Sequence, residues 1–241
     1  MHLIAGFCIA TFSLQAQSSS EQIWFEYMLN FPFANSFNLE NAVAYSTVLG
    51  DPKWRAFDCT PTFEWSVTDR IDILGAVTLG YTAQTESENT FEIRPALGTR
   101  IHITPHKRIL TRLLLRYEQR NFKNLEADEW TQVWRPRARI ESLIPINQSS
   151  YFKDKLWYGI VDAEWFFAKD DVDERFANRF RLRTGIGYRL SYSLRFEFVY
   201  TLQQSRNQVE DGTVTTDNIF RIRIKQYLRK STPSVLGGTG N

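Results

Sequence analysis

The chain has 241 residues, 29 of them basic and 27 acidic, for a formal net charge of +2. That length suits one domain with a large core or one closed barrel, and the balanced charge excludes a chain built mainly to grip nucleic acid. Beyond the N-terminal stretch no apolar run approaches the roughly 20 residues of a membrane-spanning helix, so any membrane span must be a strand.

The chain opens on "MHLIAGFCIATFSLQAQSSS", which reads as a secretory signal. Leu3 to Leu14 form its apolar region and Ala16 supplies the small residue before the cut, so residues 1–16 are expected to leave the mature protein. Only His2 stands where a basic segment belongs, as if the start lay inside a longer leader. Cys8 follows Phe7, a poor residue before an acylated cysteine, and is read as part of the signal. Cys59 then has no cysteine to pair with and no metal-ligand company. It sits among Phe57, Phe63 and Trp65 and is expected on an apolar face.

From residue 21 onward the sequence alternates with period two, the pattern of half-exposed strands. The runs are 22–32, 37–48, 54–67, 71–83, 90–103, 107–121, 130–144, 155–168, 175–190, 194–205 and 218–228. Many are twice the length of a sandwich strand and suit a tilted strand crossing a bilayer. Tight connections recur as Phe33-ANS-Phe37, Val67-TDR-Ile71, Ile103-TPH-Lys107 and Leu190-SYS-Leu194. Longer polar stretches lie between them: Gly50-Asp51-Pro52, "QTESEN", "FKNLEADE", "KDDVDE" and "SRNQVEDGTVTTD". Short turns at one end and long acidic loops at the other are the asymmetry of outer-membrane barrels. The expected fold is all-β, an up-and-down antiparallel transmembrane β-barrel over residues 17–228. It should have about 10–12 strands, since single-chain bacterial barrels are even-numbered, and a short tail at 229–241.

Each strand has two unlike faces. One carries Ile71, Ile73, Val77, Leu79, Leu113, Leu115, Phe180, Leu182, Phe196 and Phe198, and also Trp157 and Trp165. Those two tryptophans, eight positions apart, would lie roughly 20 Å apart in depth on a strand tilted near forty degrees, as membrane girdles do. The other face carries Arg94, Arg100, Arg108, Arg112, Arg116, Arg120, Arg135, Arg137, Arg139, Arg179, Arg181, Arg183, Arg195, Arg221 and Arg223, with Glu92, Glu118, Glu141, Glu164 and Glu197. An arginine facing lipid near the midplane costs about 2–4 kcal/mol, so three on one strand would cancel the stability of a domain. The arginines must face the lumen, where guanidinium groups pair with carboxylates of neighbouring strands; those of 179–198 are expected to meet glutamates such as Glu197. This face reads as a salt-bridged polar core or, because arginine outnumbers carboxylate, as an anion-preferring passage. A nucleic-acid surface would need aromatic platforms beside the basic groups, and here they lie on opposite faces. Gly185 and Gly187 fall among the inward positions, where they relieve crowding or let the wall bend.

Catalytic signals are sparse. The mature chain keeps His102 and His106, has no G-x-S-x-G elbow, no metal-ligand spacing, and expects no cofactor. Glu118 and Glu141 could meet across strands, but neighbouring arginines would keep both ionised. A lipid-acting enzyme would need a histidine, a serine and an acid gathered at one rim. A soluble β-sandwich binding module would need two packed sheets around an apolar interior.

In order along the chain, "RYEQRNF" (116–122), "RPRARI" (135–140), "DAEWFF" (162–167), "NRFRLRTGIGYRL" (178–190) and "EFVYTLQQ" (197–204), with the early Trp24, resemble the domain-of-unknown-function-2490 family. That resemblance implies a secreted β-barrel of the outer membrane of Gram-negative bacteria. It implies no activity and no catalytic residue. The tail after Leu228 departs from barrels that end on an aromatic residue read by the assembly machinery. The expected protein is a monomer with outer-membrane lipid around it, the barrel-assembly machinery as its partner in biogenesis, and no nucleic acid.

Overall fold

The computed structural model describes residues 19–34, 36–50, 53–84, 89–105, 107–167, 178–206 and 214–228. The alternating runs become β1 (Ser19–Phe33), β2 (Phe37–Val48), β3 (Trp54–Ser66), β4 (Ile71–Gln84), β5 (Thr90–His102), β6 (Leu110–Asn124), β7 (Trp130–Pro145), β8 (Leu156–Phe166), β9 (Asn178–Ser191), β10 (Leu194–Arg206) and β11 (Val214–Tyr227). Each pairs antiparallel with its neighbour in sequence, and β1 closes on β11 in parallel. One closed sheet excludes the two-sheet sandwich.

The strand count is eleven. The even-number expectation fails because β1 is a full wall strand, paired along most of its length to both β2 and β11. In an up-and-down meander with an odd count the first and last strands run the same way, so closure has to be parallel. Traced from Phe33, the register runs through Phe37, Trp65, Ile73, Thr99, Leu115, Ala138, Trp165, Phe180, Gln204 and Thr216, and returns to β1 at Ser19. That stagger of about fourteen residues over eleven strands sets a tilt near 40° and a radius of roughly 11 Å. Such a bore lies between the eight strands whose side chains fill the interior and the sixteen that leave an aqueous channel.

The wall has the inverse of a soluble protein's distribution. Phe25, Phe57, Trp65, Ile73, Leu97, Leu115, Trp134, Leu182, Phe198 and Ile222 point outward and are exposed, while Glu118, Glu164, Asp162 and Arg183 point inward and are buried. Cys59 has the outward parity of Phe57 and Phe63, as its surroundings in sequence predict.

The connections β1–β2, β3–β4, β5–β6, β7–β8 and β9–β10 gather at one rim, here the turn rim; the other five gather at the loop rim. β1 begins at the loop rim and β11 ends at the turn rim. The β7–β8 connection is longer than the tight turns and folds inward. Its Tyr151 is buried with Leu143, Leu156, Tyr158, Ile160 and Val199, the one apolar cluster among the described residues. Asn147 fastens this connector: its Nδ2 donates to the Lys155 carbonyl at 2.9 Å and its Oδ1 accepts from the Trp157 amide at 2.8 Å.

Candidate functional site

The lumen is organised by register. Across β7, β8 and β9, Arg139 stands opposite Glu164 and Glu164 opposite Arg181, while Glu141 stands opposite Asp162 and Asp162 opposite Arg183. Three of these facing pairs join opposite charges, which favours a sheet; the fourth sets two acids face to face, and Arg139 bridges them.

From these positions a network runs unbroken from Glu118 to Glu141, with a Glu92 cluster beside it. Glu92 accepts from Arg94 at 2.7 and 2.6 Å and from Arg120 at 2.7 and 3.1 Å. Glu118, only 1% exposed, pairs with Arg135 and Arg137 at 3.0 Å and Arg116 at 3.6 Å. Arg137 continues to Glu164 at 3.3 Å, and Glu164 takes Arg183 at 2.6 Å and lies 3.7 Å from Arg181. Asp162 accepts from Arg183 at 2.6 Å and Arg139 at 2.9 Å; Glu141 holds both Arg112 and Arg139. A second group joins the closing strands. Glu26 pairs with Arg223 at 2.6 Å and Arg221 at 3.5 Å, and Glu197 with Arg223 at 3.0 Å and Lys225 at 2.9 Å.

Aromatic rings complete the interior. The Phe166 ring lies under Arg135, Arg137 and Arg181, and the Trp24 ring under Arg221 and Arg181. Cation–π contact of this kind lets a guanidinium leave water without a second carboxylate. Tyr158 donates to Glu197 at 2.7 Å, and its ring lies flat over Gly187, where an added Cβ would stand 2.2 Å from the ring's Cζ. Gly187 therefore relieves crowding, as its position among arginines suggested.

Of the luminal residues proposed from sequence, Arg94, Arg100, Arg112, Arg116, Arg120, Arg135, Arg137, Arg139, Arg181, Arg183, Arg195, Arg221 and Arg223 all have a luminal ion-pair or aromatic partner, and so do Glu118, Glu141, Glu164 and Glu197. Arg179 belongs to β9, but its side chain lies outside the described residues, as does His106. Trp157 and Trp165 both point outward, against Tyr188 and Phe180. Two expectations change. Of the described arginines in 179–198, Arg181 and Arg183 meet a glutamate, Glu164, but none pairs with Glu197, and Arg195 instead donates to the Tyr151 hydroxyl at 3.0 Å and covers the Tyr227 ring. Glu118 and Glu141 do not meet across strands: Glu118 stands opposite Arg135 and Glu141 opposite Arg112. Sequence reading also missed Tyr151, Asp162, Glu26 and Lys225. Asp162 and Lys225 had the signal of luminal parity beside named charges. Tyr151 had none, because no alternation marks a folded connector.

At the turn rim His102 Nε2 lies 2.7 Å from Asp72, which stands opposite Ser66 in the ladder. Arg100 sits 3.3 Å from the same carboxylate and 2.7 Å from Glu64. A histidine, an acid and a serine do meet here, but the carboxylate stands in the middle. Nucleophilic chemistry needs the imidazole between the other two, to take the serine's proton. Among the described residues no three His, Cys, Asp or Glu side chains gather as a metal site, and no helix is long and apolar enough to cross a membrane.

Compared with known proteins, residues 21–214 match a family model described as "Protein of unknown function (DUF2490)". No curated protein matches the chain. A solved structure, the siderophore receptor PirA from Pseudomonas aeruginosa, is similar at 13% identity and a TM-score of 0.32. The likeness covers 72% of this chain and 33% of that one, so the chain spans about a third of the receptor's length.

Proposed function

Because this chain belongs to the DUF2490 family, whose description assigns no activity, we propose a role from the barrel's own physics. It is an outer-membrane β-barrel of structural role, monomeric and non-enzymatic, whose lumen is an ionic core and not a conduit. The burial of the luminal charges carries this reading: Glu118, Glu164, Asp162 and Arg135 are between 1 and 4% exposed. An aqueous channel would leave such side chains wet. Tyr151 and its apolar cluster stopper the turn rim as well.

The outward face supports lipid as the barrel's surroundings, since a continuous belt of exposed phenylalanine, leucine, isoleucine and tryptophan has no other stable solvent. In that setting Trp157 and Trp165 lie at the two membrane interfaces. The turn rim faces the periplasm, the loop rim faces out, and the barrel-assembly machinery inserts the chain. Two measurements test this. A folded barrel from the membrane fraction should migrate anomalously on a gel until boiled; recovery from the soluble periplasm without detergent would overturn the membrane reading. Wild-type protein in planar bilayers should show no unitary conductance. A steady open-pore current would replace the ionic core with the other reading of an arginine-rich lumen, a narrow anion-preferring channel.

A further inference from the structure

The loop-side half of the lumen is lined unevenly. There β2 lines the space with Ala42, Ala44 and Ser46, with Trp24 of β1 on one flank and Asp58 of β3 on the other. These short side chains leave a cavity of about 120 Å³, which Glu26, Arg94 and Arg221 also line. Two of its charges are already matched. Arg94 holds Glu92 through two short hydrogen bonds, and Glu26 accepts from Arg223 at 2.6 Å. Two are not. Asp58, packed over Gly80, has no hydrogen-bond or ion-pair partner among the described residues. Arg221 is 3.5 Å from Glu26, and its buried Nε has no acceptor.

An under-partnered acid and an under-partnered base thus line one cavity, on either side of an alanine floor. Charges in a low-dielectric interior are costly unless paired, and one guest carrying both signs would satisfy the two together. We propose that this cavity binds a small zwitterion, its ammonium on Asp58 and its carboxylate on Arg221, with its carbon against Ala42 and Ala44. A cavity of about 150 Å³ takes a guest the size of benzene. The space here therefore suits an amino acid of about five or six non-hydrogen atoms, glycine or alanine, and excludes leucine.

The test is isothermal titration of the full chain folded in detergent, with glycine, alanine, leucine, methylammonium and acetate as probes. Glycine and alanine should bind saturably. Methylammonium and acetate, each with one of the two charges, should bind roughly tenfold or more weaker, the loss expected for a missing charge-assisted hydrogen bond. Asp58→Asn and Arg221→Gln should each weaken glycine by a similar factor. Ala44→Val keeps every charge and should lose alanine before glycine; heat-modifiable migration confirms that each variant is folded. No saturable heat from either amino acid, methylammonium binding as well as glycine, or unchanged affinity in Asp58→Asn with a folded barrel would each overturn the site. The outcome is separable from the closed-lumen reading, because bilayer conductance tests that reading without any ligand.

Discussion

At Gly187 the wall has no side chain because the Tyr158 ring occupies the space one would fill. Gly187→Ala must push the ring aside and strain or break its 2.7 Å bond to Glu197. The expected cost is about 2–4 kcal/mol, from overpacking plus a buried hydrogen bond to a charged group, read from denaturant unfolding of the refolded barrel. If the ring is the cause, Tyr158→Ala should make Gly187→Ala nearly neutral in the double variant, a coupling that additive behaviour would disprove. Glu118→Gln should cost about 3–5 kcal/mol, because it leaves Arg135 buried without a carboxylate and Arg137 with Glu164 alone. Asp128→Asn breaks the 2.6 Å pair with Lys123 in an exposed loop and should leave the unfolding midpoint unchanged. Most of these luminal residues were legible in the sequence, since parity separates arginine from leucine along each strand. Their partners were legible only in part. Whether Arg195 meets Glu197 or Tyr151 depends on a connector whose path no periodicity encodes.

Strands β3 and β5 show how an element's sequence can work against its ladder. Proline has no N–H to give, and the β3–β4 pairing skips Thr60 and Pro61 while the β5–β6 pairing skips Arg94 and Pro95. Side chains span both gaps: Thr60 donates to the Thr78 hydroxyl at 2.9 Å, and Asn121 Nδ2 donates to the Ile93 carbonyl at 3.0 Å. The β4–β5 hairpin is therefore bounded by an interruption on each side. Amide exchange of the detergent-folded protein should be faster around Val77 and Gln119 than in the middle of β9 and β10; uniform protection would show that the side-chain bridges restore the ladder fully. The β7–β8 connector yields a different expectation. Arg189 donates to the Tyr151 carbonyl at 3.2 Å and Arg195 to its hydroxyl. Tyr151→Ala should remove the stopper's centre and give brief anion-preferring openings in bilayers where the wild type is silent. Continued silence would place the seal in the arginine–glutamate network alone. Strand positions were readable from period two, because one face of each strand is apolar along its length. The connector was not, because its residues obey tertiary packing alone.

For the molecule as a whole, eleven strands and their stagger set a bore that long side chains can nearly fill, and arginine is a long side chain that can pair twice. The count itself was present in the sequence as eleven runs, and only the expectation of an even number argued against it. The odd count governs the sidedness of the chain. In an even barrel both ends emerge on the side where the chain entered; here, whatever precedes β1 leaves from the loop rim and whatever follows β11 leaves from the turn rim. A peptide epitope placed before Ser19 of the mature protein should be stained by antibody on intact cells, and one placed after Leu228 only once the outer membrane is permeabilised. Staining of both epitopes from outside, or of neither, would contradict the parallel seam. If the barrel spans the outer membrane as proposed, it is a through-bolt, with one end of a single polypeptide on each face, so that cargo fused to either terminus is delivered to a chosen side.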